Sequence, residues 1–179
     1  PSAGLFLFRL ARYAPPMGRE GAMITASRAI DGRLVACAAA LETLDPLVWI
    51  DLESPDPAEE ASVETALSLD IPTREDMQEI EVSSRLYAEE GALFLTAQVL
   101  ATPEGHEAQI GPVTFVVTPE RLVTVRYHAP RSIKVFAERA AHQAMGCMSG
   151  PTVMLALMET VVDRLADISA SLRLFSYNR

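Results

Sequence analysis

The residues of this chain best suited to chemistry are carboxylates. Glu59, Glu60 and Glu64 fall in one stretch, and Glu75, Asp76, Glu79 and Glu81 in a second. Magnesium prefers oxygen ligands and retains several waters, so one or two carboxylates from each of two surfaces suffice to hold it. Such a site leaves no spacing signature. The first cluster reads as the exposed side of a helix, where acids ordinarily meet water, and part of the second as capping groups. His106, His128 and His142 stand alone, each expected at the surface or a strand end rather than as a catalytic base. Cys147, between Gly146 and Met148, is expected to be a small apolar filler in a helix-breaking loop. The sequence contains no G-x-G-x-x-G, G-x-x-x-x-G-K-[ST], H-E-x-x-H or G-x-S-x-G, and the chain is not expected to be an enzyme.

With 179 residues, 49% of them hydrophobic, the chain is long enough to bury roughly two-thirds of its unfolded surface in one core. Its formal charge of −9 argues against nucleic acid, which needs clustered Lys and Arg. That charge is compatible with a surface that meets cations and equally with ordinary acidic solubility. Cys37 and Cys147 lie too far apart for a zinc knuckle and too few for a disulfide framework, so a reducing cytoplasm is the simplest compartment. No apolar run approaches the roughly 20 residues that span a bilayer. The best, Val153–Met158, soon meets Glu159, Asp163 and Arg164, and the chain as given is expected to be soluble. Residues 1–22 are expected to be a poorly ordered leader or residues not native to the gene. Arg173–Arg179 stop a helical pattern abruptly.

The elements that would position these residues follow from pattern and punctuation. Met23–Ser27 and Arg33–Cys37 flank Asp31-Gly32, a hairpin signal. Leu47–Leu52 is apolar except for Asp51 and reads as a strand buried on both faces. Asp56 can cap a helix whose first turn holds Pro57, Glu59 and Glu60 and whose stripe is Val63, Ala66 and Leu67. It runs to about Ser68. Thr73 and Asp76 start a shorter helix over Arg74–Glu79. The period then alternates: Arg85–Glu89 with Ala92–Leu100 about Glu90-Gly91, and Gly111–Thr118 with Leu122–His128 about a type I turn at Pro119-Glu120-Arg121. From Pro130 a helix places Ile133, Phe136, Ala137 and Ala140 on one face, and Gly146–Pro151 breaks it. A last helix begins near Pro151 with Met154, Leu157, Met158, Val161, Val162, Leu165 and Ile168 on one stripe, suited to packing first and a coiled-coil seam later. The fold class is therefore α/β: a mixed parallel/antiparallel sheet flanked by helices, an αβα sandwich with a long C-terminal helix leaving it.

The order of these pieces resembles the cytoplasmic N-terminal domain of the CorA family of divalent-cation transporters. The resemblance rests on W-I-D-L at Trp49–Leu52, L-D-I-P-T-R-E-D at Leu69–Asp76, I-E-x-S-S-R at Ile80–Arg85, L-V-T-V-R at Leu122–Arg126 and V-V-D-R-L-A-D-I at Val161–Ile168. It covers roughly Met23 to Leu172. It implies residues 23–150 as the α/β cytoplasmic domain, and 151–179 as the start of a stalk helix that precedes two transmembrane helices and a pore-mouth G-M-N motif. It also implies a homopentamer in the inner membrane, with this part on the cytoplasmic side and touching the membrane only through segments beyond residue 179. The role implied is regulatory: Mg2+ (or Co2+) bound between neighbouring domains holds the closed state. Zinc-transporting relatives share the layout, so Zn2+ stays open as the ion. By position in the family pattern, Glu104 after the first hairpin and Asp163 in V-V-D-R are the expected metal ligands. A free-standing soluble α/β binding or scaffold protein with the same fold is the reading of a different class.

Overall fold

The computed structural model describes residues 23–37, 44–79, 85–101 and 108–177, with side chains as far as residue 170. β1 (Met23–Ile30) and β2 (Arg33–Cys37) close on Asp31 and Gly32, both at positive φ (51° and 75°). That is the mirror-image turn whose twist suits a two-residue hairpin. β1 pairs antiparallel with β3 (Leu47–Glu53) on its other side, with a register shift between Ser27 and Arg28. β3 pairs in parallel with β7 (Leu122–Arg126). β4 (Leu86–Glu89), β5 (Ala92–Ala101) and β6 (Gln109–Val117) complete an antiparallel meander, giving the order β2-β1-β3-β7-β6-β5-β4. The expected strands are present; β1, β5 and β6 extend further than the apolar alternation indicated, because ladder bonds continue through Arg28, Ala101 and Gln109.

The first two helices start where the sequence can satisfy their free N–H groups. α1 (Pro57–Leu67) opens on a full capping box: Asp56 accepts from the amides of Ala58 and Glu59 (both 2.9 Å), and Glu59 accepts from the Asp56 amide (3.0 Å). It stops at Ser68, whose left-handed φ of 53° breaks the helix. α2 (Arg74–Glu79) repeats the device with Thr73 and Asp76. α3 (Arg131–His142) and α4 (Gly150–Tyr177) follow β7.

Because side chains alternate along a strand, β3 splits its residues between two cores. Ile50 and Leu52 face α1 and α2, packing with Val63, Met77, Val123 and Val125. Trp49 faces α3 and α4, among Phe115, Leu122, Ile133, Phe136 and Leu157. The fold is thus the expected αβα sandwich. α4 begins against the β6–β7 turn so closely that a Cβ on Gly150 would lie 2.3 Å from the carbonyl oxygens of both Thr118 and Arg121. Its first turns bury Val153, Ala156, Leu157 and Thr160, whereas Val162 (63% exposed) and Leu165 (46%) face outward. Both belong to the later part of the stripe, which suits a coiled-coil seam rather than packing on the body.

Candidate functional site

Among the described residues, the carboxylates singled out by the sequence do not converge. Glu59 is spent on the capping box. Glu60 accepts the Tyr127 hydroxyl at 2.5 Å, and Glu64 accepts the Ile71 amide at 3.1 Å. This first cluster is therefore not a plainly solvated face. It ties α1 to the β7 exit and to the turn before α2, and the Arg74 guanidinium lies over the Tyr127 ring, 5.4 Å from its centroid. Burial, then the hydrogen bond and charge of Glu60, push the Tyr127 hydroxyl well above the usual phenol range. Glu81 and the Ile80–Ser84 part of one motif lie outside the described residues, as do His106 and Glu104.

Asp163 lies on α4, its side chain 72% exposed, with the Arg139 guanidinium 4.0 Å away. Glu159 and Asp163 stand one turn apart on the exposed side of the helix, and Asp167 continues the row. Among the described residues no group of three or more His, Cys, Asp or Glu side chains could hold a metal ion. His128 lies two residues beyond β7, which ends at Arg126 rather than at His128 as expected, and its Nε2 is 2.9 Å from the Val99 carbonyl oxygen. Burial lowers its pKa, partly offset by that bond. Cys147 is fully buried, and burial alone pushes its thiol up to about 11, as a packed filler requires.

Charge converges instead at the carboxyl ends of β3 and β7. The parallel register sets Asp51 beside Thr124 and Glu53 beside Arg126. Arg126 donates to Asp51 through Nε (3.2 and 3.3 Å) and Nη2 (2.8 Å), to Glu53 through Nη2 (2.8 Å), and to the His128 carbonyl through Nη1 (3.0 Å). Thr124 donates to Asp51 at 2.5 Å and accepts from the Trp49 indole at 3.1 Å. The Asp51 and Arg126 side chains are only 6% and 8% exposed. Burial opposes the Arg126 charge, but the bonds and charges of Asp51 and Glu53 outweigh it and raise its pKa. In the sequence Asp51 reads as an interruption of an apolar strand and as part of W-I-D-L, with no partner assigned to it. The available signal was a charged residue in each of two otherwise apolar strands, one of each sign.

The chain folds as an αβα sandwich with a mixed seven-stranded sheet and a long final helix. A family model described as "CorA-like Mg2+ transporter protein" matches residues 45–174. The chain belongs to that family, whose description is of a transporter. Magnesium transport proteins CorA of Salmonella typhimurium and Escherichia coli are each 29% identical to it, over 126 and 130 residues, covering 70% and 71% of this chain and 40% and 41% of theirs. The chain thus spans about 40% of the length of these curated relatives. Among solved structures, full-length CmaX superposes with a TM-score of 0.65 at 14% identity, covering 89% of this chain and 50% of that one. The soluble domain of CorA from Methanocaldococcus jannaschii gives 0.57 at 11% (87% and 64% covered). The ZntB cytoplasmic domain from Vibrio parahaemolyticus gives 0.60 at 14% (89% and 66% covered). At these identities the structures establish the fold alone. Among the described residues no helix is long and apolar enough to cross a membrane.

Proposed function

We propose that this chain is the cytoplasmic, ion-sensing part of a CorA-like divalent-cation transporter that moves Mg2+, and Co2+ with it, across the inner membrane as a homopentamer. The observation that carries the reading is the family match over residues 45–174, which runs through the sandwich and on along α4. α4 also has the surface such a role needs. Leu155, Val162 and Leu165 are exposed (62%, 63% and 46%), and Glu159 and Asp163 sit on the same projecting helix. An apolar seam favours self-association, while like charges brought together by it repel. A cation that binds only the assembled form stabilises it by mass action. A regulatory ion would be held between copies, with Asp163 as the ligand contributed by α4 and Glu104 as the second candidate.

Two measurements test this. Reading the gene beyond codon 179 should reveal a continued helix, two apolar segments of about 20 residues and G-M-N. The full product in liposomes should take up Mg2+ in preference to Zn2+; Zn2+ uptake alone would move the protein to the zinc-transporting branch. A stop codon shortly after residue 179 would leave a free-standing protein and end the transporter reading. Sensing is tested by sedimentation and thermal unfolding with millimolar Mg2+. Both should shift toward association and higher Tm, and Asp163→Asn should blunt the shift.

A further inference from the structure

β3 and β7 are the parallel neighbours of the sheet, and the chain leaves them toward opposite faces. β3 runs into α1 on the side of Ile50 and Leu52, whereas β7 runs into α3 on the side of Trp49. Open α/β sheets take their ligands outside the carboxyl ends of adjacent parallel strands whose connections diverge in this way. A cleft of about 760 Å3 opens at this place on the α3 side, within the range of small-molecule pockets. Thr25, Ser27, Asp51 and Glu53 line its sheet side, and Arg131, Lys134 and Glu138 line its helix side.

The two sides differ in what they leave for a ligand. Arg126 donates to Asp51, Glu53 and the His128 carbonyl, so it is held as a fixed post. Glu53 spends Oε2 on Arg126 and keeps its other oxygen for a donor; its side chain is 32% exposed. Arg131 and Lys134 are exposed, share a helix face, and form no ion pair among the described residues. They also occupy the beginning of a helix whose first turn holds no acid. Cations there oppose the helix dipole, and a broken local rule of that kind is characteristic of a binding site. The cleft therefore offers two cations about one turn apart facing a fixed carboxylate acceptor.

We propose that this cleft binds a small hydroxylated phosphate ester, a nucleoside monophosphate or a sugar phosphate, with the phosphate at Arg131 and Lys134 and a sugar hydroxyl donating to Glu53. A dianion satisfies both cations, and a hydroxyl is the neutral donor a carboxylate takes without a further charge. The site lies inside the sandwich and uses neither α4 nor assembly, so its failure and that of the transporter reading are independent.

The test is a titration of the 179-residue chain with AMP, ribose 5-phosphate and inorganic phosphate in metal-free buffer, followed by amide NMR. Both esters or AMP alone should give saturable shifts at Glu53 and Ala129–Lys134; AMP alone identifies the nucleotide, equal binding the sugar phosphate. Arg131→Glu with Lys134→Glu should weaken binding at least about tenfold, by roughly 1.4 kcal/mol, while distant resonances stay in place. Glu53→Gln should weaken the esters but not inorganic phosphate. No saturable shift with either ester, shifts indifferent to the charge reversals, or inorganic phosphate binding as tightly as the esters would overturn the proposal.

Discussion

Replacing Asp51 by Ala is the sharpest probe of the strand-end network. It removes the carboxylate that accepts three contacts from Arg126, the closest at 2.8 Å, and the one that accepts the Thr124 hydroxyl. Arg126 keeps Glu53 and the His128 carbonyl, but its side chain is 8% exposed and cannot reach water without rearrangement. Breaking a buried ion pair from one side costs about 3–5 kcal/mol. Because the half-exposed Glu53 still balances the guanidinium, the lower end applies, about 3 kcal/mol, or a Tm lowered by about 6–12 °C for a chain of this size. Trp49, the single tryptophan, is 3% exposed and bonded to Thr124 within the same network, so its fluorescence follows urea unfolding directly. The double variant Asp51→Leu with Arg126→Met removes both charges and should recover most of the loss, since apolar replacement of a buried pair is often near neutral. A loss below about 1 kcal/mol for Asp51→Ala, or a double variant as unstable as the single one, would refute the account of an orphaned buried charge.

Gly150→Ala reverses the usual sign of its substitution. In a helix, Ala gains up to about 1 kcal/mol over Gly, but a Cβ here meets two backbone carbonyls at 2.3 Å. Overpacking against atoms that cannot rotate away costs about 1–3 kcal/mol, so after the helix gain a net loss of about 1 kcal/mol is expected in urea unfolding; a stabilised variant would show that α4 does not seat on the β6–β7 turn. His128 supplies a pH dependence. Burial holds its folded pKa below the ordinary value of 6.5, so as pH falls past 6.5 the unfolded chain takes up the proton first. The contribution is whole above that pH and is lost as pH falls toward the folded value. Unfolding free energy should therefore drop more steeply between pH 7.5 and 5.5 in the parent than in His128→Gln, and identical slopes would contradict the assignment.

Local chemistry was legible and long-range pairing was not. The Asp31-Gly32 turn, the Asp56 cap with Pro57 behind it, and the Thr73–Asp76 box each act over two or three residues, so adjacent residue types state them completely. The face of α3 was equally readable, because Ile133, Phe136 and Ala140 repeat at helical spacing and all three are buried. Asp51 and Arg126 are 75 residues apart, and what joins them is the parallel β3–β7 register, which depends on every element between. The same gap hid the roles of Glu60 and Glu64. Their exposure was read from one helix, while their partners, Tyr127 and Ile71, come from elsewhere.

That division bears on what the domain can transmit. The strand-end network fastens β3 to β7 beneath α3, and α3 in turn packs against the start of α4, where Ile133, Phe136 and Ala140 share a core with Val153 and Leu157. The first turns of α4 are thus fixed to the sheet, while further along Val162, Asp163 and Leu165 are exposed, with Asp163 4.0 Å from the Arg139 guanidinium of α3. A charge or packing change at these exposed positions meets a rigid base, so it must be expressed as a change in what α4 touches rather than in how the sandwich folds.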